Sequence, residues 1–441
     1  MTTEDFSSLR ELAQRYCAKF DNTFRYFSAE DNPIFVRANG VYLHDHTGKK
    51  YLDLNSSSGA LNFGHCHAEL LEALTSQAAT LHLASNRLTD KSIHLAQRLS
   101  LLSPIVDAQV YFDCGGANAV DAAKKLAIAY KRKPKIASFG YSFHGRTFGA
   151  LSIYNSDNLK SQGIRIPKDY ESFYYPYCLH CPVGLQEEVC QVECFGNLLE
   201  VYLERNQDIA AVIFEPGLGA GGYIFPPLKA IRRLSDICDR YGILLIADEI
   251  HMGMGRTGKM FSFQHYGVTP DIILLSKSLA GGMWPLSAVI ARPEIMQSLP
   301  LGAHSSTFAG APLASALGLK AIEILERDQL LEAAKVKGEL LLEELKRVFP
   351  EEETGVRVEG RGLAIGIEFN DPSSGKPAPA LKEETRRLAF QKGLFILGRG
   401  PYNNRLTLIP PLIIEQEQLL TAIELIHEAF HEARLSPKKG S

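Results

Sequence analysis

The chain predicts an α/β fold, an open and mostly parallel sheet flanked by helices, with a smaller α+β domain beside it. Three observations carry this expectation. Short apolar runs rich in branched residues alternate with amphipathic helical stretches between about residues 110 and 291. Each run is followed by polar residues or glycine, as strands buried on both faces are. Beyond Pro312 the rhythm lengthens into long helices with isolated strands between them. A chain of 441 residues exceeds one ordinary core, and 45% hydrophobic residues supply ample apolar material for a large one.

In chain order, residues 41–54 alternate apolar and polar around His46-Thr-Gly-Lys49, which reads as a hairpin. Strands are then expected at Val110–Phe112, Ile136–Phe139, Ala211–Phe214, Ile243–Ala247, Ile272–Leu275 and Leu286–Ala291. A helix beginning near Ala119 sets Ala122, Ala123, Leu126, Ala127 and Tyr130 on one side. The stretch Lys229–Tyr241 places Ile231, Leu234, Cys238 and Tyr241 on one face and stops at Gly242. Later come helices at Leu313–Glu326 and Gln329–Val348, strands at Gly362–Phe369 and near Leu394–Leu397, and a helix from Gln416 to about Arg434. Internal repeats and low-complexity segments are absent from the sequence.

The formal net charge is −3, which offers no electrostatic drive toward nucleic acid or an anionic membrane. The one basic cluster, Lys438 and Lys439, lies in a tail expected to fray. Met1-Thr-Thr-Glu-Asp-Phe6 lacks the basic and apolar regions of a secretory signal, and no uncharged apolar run reaches membrane-spanning length. Eight cysteines are few for an extracellular disulfide scaffold, so a cytoplasmic location is expected. Four of them cluster as Cys178-x-x-Cys181 and Cys190-x-x-x-Cys194. Two close pairs could wrap a structural zinc; the plainer alternative is small thiols packed beneath Tyr174, Tyr175 and Tyr177.

The candidate chemistry begins with the acidic pair Asp248 and Glu249, which ends one apolar run, and Lys277, which ends the next. If the two runs are neighbouring parallel strands, a carboxylate and an amine emerge at one sheet edge. That is the equipment for pyridoxal phosphate (PLP): the lysine holds it as a Schiff base, and the aspartate keeps its ring nitrogen protonated. Taken singly, Asp248 reads equally well as a helix cap and Lys277 as a solvated surface residue. The fully apolar run before Lys277 and Gly281-Gly282 after it favour a desolvated amine with a lowered pKa. Cys114-Gly-Gly-Ala-Asn118, between a strand and a helix, offers backbone N–H donors for a phosphate, or is a plain connection. Phe143, in Ser142-Phe-His-Gly-Arg-Thr147, suits stacking on a planar ring, or is a core residue in a turn.

Together these segments closely resemble the class III pyridoxal-phosphate-dependent aminotransferases, of the fold type I PLP enzymes. The resemblance runs in order through Ser142–Thr147, Ala247–Phe261, Pro270–Gly282, Pro285–Ile290, His304–Phe308, Gly360–Leu363 and Ile409–Leu412. It implies a large seven-stranded, mostly parallel sheet domain over residues 61–310, and a small domain formed from both termini, residues 1–60 and 311–441. It further implies that Lys277 bonds the cofactor, Asp248 pairs with the pyridine nitrogen, and Phe143 stacks on the ring. Gly116 and Ala117 bind the phosphate, and Thr307 reaches the phosphate of the partner subunit in a homodimer with shared active sites.

Three positions depart from the family pattern. His251 stands where most relatives place a Gln that contacts the cofactor's phenolic oxygen, and imidazole can still donate one hydrogen bond there. Ala220 replaces a glutamate that gates a substrate-binding arginine. That arginine itself falls at Thr407; Arg405, two residues earlier, faces the same side of a strand and is the candidate substitute, though displaced by ~7 Å. The resemblance implies an aminotransferase moving an amino group from an amino acid or primary amine to a small 2-oxo acid. The alternative is a racemase or epimerase of the same family, to which Asn118 and the Cys178-x-x-Cys181-Pro segment point, and more remotely a decarboxylase or lyase. An idle assembly subunit is the reading from another class, opposed by the intact Asp248 and Lys277.

Overall fold

The computed structural model describes residues 11–12, 15–17, 33–85, 87–154 and 165–435. The expected basic tail at Lys438 and Lys439 and the first six residues lie outside the described residues. At the centre is a seven-stranded sheet. Its order is Gln109–Asp113, Ser287–Ala291, Ile272–Leu275, Leu244–Asp248, Ile209–Phe214, Lys135–Phe139 and Tyr170–Phe173. Ser287–Ala291 runs antiparallel to both neighbours, and the remaining pairs are parallel. The central strands are buried at every residue, which is why they read as unbroken apolar runs. The edge strand Tyr170–Phe173 carries Glu171 and Ser172 and is half exposed, so its sequence holds no such run.

Helices cover both faces. Gly116–Lys131 buries Ala119, Val120, Ala122, Ala123, Leu126 and Ala127 against the sheet, small side chains that let it approach closely. Leu228–Tyr241 buries Ala230, Ile231, Leu234, Ile237 and Cys238 and ends at Gly242, whose φ of 61° supplies the left-handed cap.

Two four-stranded sheets complete the fold. In one, Phe35–Asn39, Tyr42–Asp45 and Lys50–Asp53 form the expected hairpin region, and Leu394–Phe395 joins them in parallel, Leu394 opposite Leu52. The other has the antiparallel order Val356–Arg361, Ala364–Phe369, Arg405–Leu408, Leu397–Arg399. The single strand expected near Leu394–Leu397 is therefore split. Buried Ile396 is the crossing point, and the chain passes from one sheet to the other there, which aims Arg399 toward the large sheet's carboxyl edge. Val356–Arg361, with Arg357, Glu359 and Arg361 interleaved, has no apolar run and was not expected.

Candidate active site

Leu244–Asp248 and Ile272–Leu275 are parallel neighbours, with Asp248 opposite Leu274, so both chains leave the sheet at its carboxyl edge. The two acidic residues that follow each other there part company. Glu249 turns into the protein body and accepts the backbone N–H groups of Ser262 and Phe263 at 2.9 and 2.7 Å. Burial pushes its carboxyl up to about 8. Asp248 faces the site. Its Oδ1 accepts from the Ile250 N–H at 3.1 Å, and its Oδ2 meets His144 Nδ1 at 2.7 Å. His144 is fully buried; burial opposes its protonation, but the hydrogen bond and charge of Asp248 prevail and raise its pKa.

Lys277 follows the neighbouring strand with a left-handed backbone, φ 48°, unusual for a lysine and costly outside a site that enforces it. Its Nζ donates to the Ser58 carbonyl at 2.9 Å. Burial pushes the amine down to about 8, and the charge of Arg399 adds to this while Asp248 and Glu215 oppose it. Such an amine is partly neutral near physiological pH, and its neutral form is a nucleophile and a base.

The walls come from three loops. Gly115 precedes the Gly116–Lys131 helix and contributes no capping side chain. A Cβ at Gly116 would stand 3.1 Å from Ile250 Cδ1, and one at Gly145 only 2.5 Å from Ala117 Cβ. The Ser142–Thr147 turn is thus pressed against the helix start. Phe143 in this turn remains 38% exposed, with the Arg146 guanidinium 5.3 Å from its ring centre, and its N–H donates to Glu215 Oε1 at 2.8 Å. Glu215 Oε2 accepts from Gly219 N–H at 2.8 Å, so one buried carboxyl, pushed up by burial to about 7, pins both loops. His251 Nε2 lies 3.2 Å from the Tyr223 hydroxyl. Burial holds its pKa well below the usual range, and Lys277 adds to this, so the ring is neutral.

The structure therefore brings together Asp248, Lys277, His251, Phe143, Gly116 and Ala117. Thr307 is exposed; its loop is tied to the Cys114 turn through Ser306 Oγ and Cys114 Sγ, 3.3 Å apart. Arg405 departs from its expected place as a free substrate clamp. Its guanidinium is fully buried, paired with Glu368 at 2.5 Å and Glu359 at 2.6 Å, and its Nε donates to the Gly222 carbonyl at 2.9 Å. Thr407 is likewise occupied, its hydroxyl donating to the Leu397 carbonyl at 3.1 Å. Arg405→Met will strip the guanidinium from buried Glu368, leaving it the His180 and Tyr177 hydrogen bonds, and lower stability by about 3 kcal/mol, measured by urea unfolding. An unchanged midpoint would show that the pair is not structural.

The four clustered cysteines line one small pocket with Tyr177, Pro182 and Lys229. All are free, and among the described residues no group of three or more His, Cys, Asp or Glu is placed to hold a metal ion. Burial pushes the Cys178 and Cys194 thiols up to about 12 and 11.

Sequence patterns did not single out His144, Glu215, Ile250 or Arg399. Two of these had readable signals: His144 follows Phe143 in a turn after a strand, and Arg399 is an isolated cation between two glycines after an apolar run.

A family model for the class-III aminotransferases matches residues 26–430. The chain belongs to that family. The leucine/methionine racemase of Thermococcus litoralis is 34% identical to this aminotransferase over 429 residues, 95% of each chain. Ornithine aminotransferase 1 of Staphylococcus aureus is 33% identical over 413 residues, 90% of this chain and 94% of the relative. A solved Bacillus anthracis aminotransferase superposes with a TM-score of 0.90 at 30% identity, covering 98% of this chain and all of that one. As a class-III aminotransferase, the protein is a PLP-dependent enzyme that moves an amino group from an amino acid or primary amine to a small 2-oxo acid. Among the described residues, no helix is long and apolar enough to cross a membrane.

Proposed function

We propose that Lys277 holds the cofactor covalently, with Asp248 at its ring nitrogen, Phe143 and Ile250 against the two ring faces, His251 near its phenolic oxygen, and the Gly116 and Ala117 N–H groups at its phosphate. The convergence of Asp248 and Lys277 from adjacent strand ends carries this reading. Its fit rests on the chain's own features: a buried carboxylate hydrogen-bonded to His144, a desolvated amine, a part-exposed aromatic ring, and a helix start without a capping side chain. When bound, pyridoxal phosphate supplies an electron sink for the bonds around the amine-bearing carbon of the substrate.

Asp248 favours a proton on the ring nitrogen, because a buried anion stabilises a neighbouring cation. Lys277, were a substrate amine to take its place, would have a pKa suited to removing the proton from the amine-bearing carbon and returning one. Residues 61–310 are assigned to the cofactor-binding domain, and 1–60 with 311–441 to the smaller one. The reading includes a cytoplasmic homodimer. Thr307 and the neighbouring Phe308, 52% exposed, suit coverage by a second copy in which Thr307 reaches the partner's phosphate site.

The racemase relative favours a second reading, inversion at the same carbon. Incubation with one enantiomer of an amino acid and no oxo acid separates the two. Transamination converts each active site once, seen as loss of the cofactor's visible band with a stoichiometric amount of oxo acid. Continuous loss of optical rotation with the band retained would retire the transaminase reading.

A further inference from the structure

The roles above leave Arg399 unused. It ends the Leu397–Arg399 strand, opposite Arg405 in the ladder, and its Nη2 donates to Ser58 Oγ at 2.9 Å. The carbonyl of the same serine accepts from Lys277 Nζ at 2.9 Å. One residue therefore bridges a guanidinium and the reactive amine.

That residue is held in an unusual backbone. Ser56, Ser57 and Ser58 have φ of 45°, 49° and 60°, a run of left-handed non-glycine residues that persists only where the surroundings enforce it. Asp53 enforces it here, its Oδ1 accepting from the Asn55 and Ser56 N–H groups at 2.8 and 2.9 Å.

Arg405 across the ladder is neutralised by two carboxylates, whereas Arg399 has no salt bridge among the described residues. Its Nε is buried with no hydrogen-bond partner. The positive charge is felt by both Lys277 and His251, whose pKa values it lowers. An unneutralised cation and a buried donor without an acceptor, one residue away from the reactive amine, call for an anion. A guanidinium and a carboxylate meet as a two-pronged fork.

We propose that Arg399, with the Ser58 hydroxyl, receives the substrate's carboxylate, and that this carboxylate is borne by the same carbon as the reacting amine. The substrate class is then the α-amino acids and their 2-oxo acids. A single residue, Ser58, spans the gap between the two cations by its own carbonyl and hydroxyl, which favours an amine and a carboxylate borne close together on one carbon. The proposal rests on Lys277 being the amine that the substrate displaces.

The test compares the PLP-loaded wild type with Arg399→Gln and Arg399→Lys. Single-turnover conversion of the cofactor is followed with L-2-aminobutyrate, its isomer 4-aminobutyrate, and propylamine, which lacks the carboxylate. Propionate binding is measured separately by calorimetry. The wild type is expected to prefer 2-aminobutyrate over both others. In Arg399→Gln, its preference over propylamine should fall by on the order of 10²-fold and propionate affinity about tenfold or more. Arg399→Lys, which keeps the charge but not the fork, should fall between and serves if the glutamine variant does not fold. A preference and a propionate affinity both unmoved by the substitutions would overturn the proposal, as would a wild type that prefers 4-aminobutyrate. Failure of the wild type to convert any amine would instead retire the transaminase reading. Propionate binding then still decides the role of Arg399, a loss in the variants supporting it and equal affinity overturning it.

Discussion

Replacing Lys277 with alanine will abolish turnover, with a loss of about 10⁴-fold or more, because this amine is assigned both to bond the cofactor and to carry the proton. The same substitution will remove the visible absorption of the bound cofactor, and borohydride treatment will add no mass at position 277. The effect should be chemical rather than structural. Among the described residues Lys277 Nζ makes one hydrogen bond, to the Ser58 carbonyl, and its amine is only weakly held in the charged form, being pushed down to about 8 by burial. Capture of cofactor by the wild-type apoprotein should accordingly quicken as pH rises toward 8 and level off above it, since the neutral amine is the reactive form. Turnover within tenfold of wild type in Lys277→Ala would remove the basis of the assignment.

Asp248→Asn is expected to lower turnover by on the order of 10³-fold while leaving most of the coloured cofactor bound. Asparagine keeps the shape and can still accept from the Ile250 N–H, but it no longer favours a proton on the ring nitrogen. Stopped-flow absorbance and steady-state assays together check both halves. A companion effect follows from His144, whose pKa is raised in the folded protein above its ordinary 6.5 by Asp248. A raised histidine contributes stability that is full below its unfolded pKa and fades as pH climbs through the folded one. The stability gap between wild type and Asp248→Asn should therefore be widest below about pH 6.5 and narrow at higher pH, as measured by urea unfolding across pH. Unchanged turnover would refute the electron-withdrawal role of Asp248; a pH-independent gap would mean that the aspartate does not charge its histidine.

Local pattern reached far into this protein, for identifiable reasons. Buried parallel strands must be apolar on both faces, so the central strands announce themselves as runs, and the polar residue after each run marks the sheet edge where a site can form. The placement of Asp248 and Lys277 at one sheet edge was legible on those grounds, as was the turn that opens the helix at Gly116. Where an element is half exposed, as at Tyr170–Phe173 and Val356–Arg361, the run disappears and so does the signal.

What the sequence by itself determined is the alternation of strands and helices, the sheet edge bearing a carboxylate and an amine, and through these the PLP chemistry. Tertiary structure alone decided how the charged groups pair. Glu249 turns inward to two backbone amides while Asp248 faces the site; Arg405 is consumed by Glu359 and Glu368; Arg399, carried across at Ile396, meets the serine that also holds Lys277. The physical reason is that a charge in a buried site is defined by its neighbours, and these neighbours lie tens to hundreds of residues away in the chain.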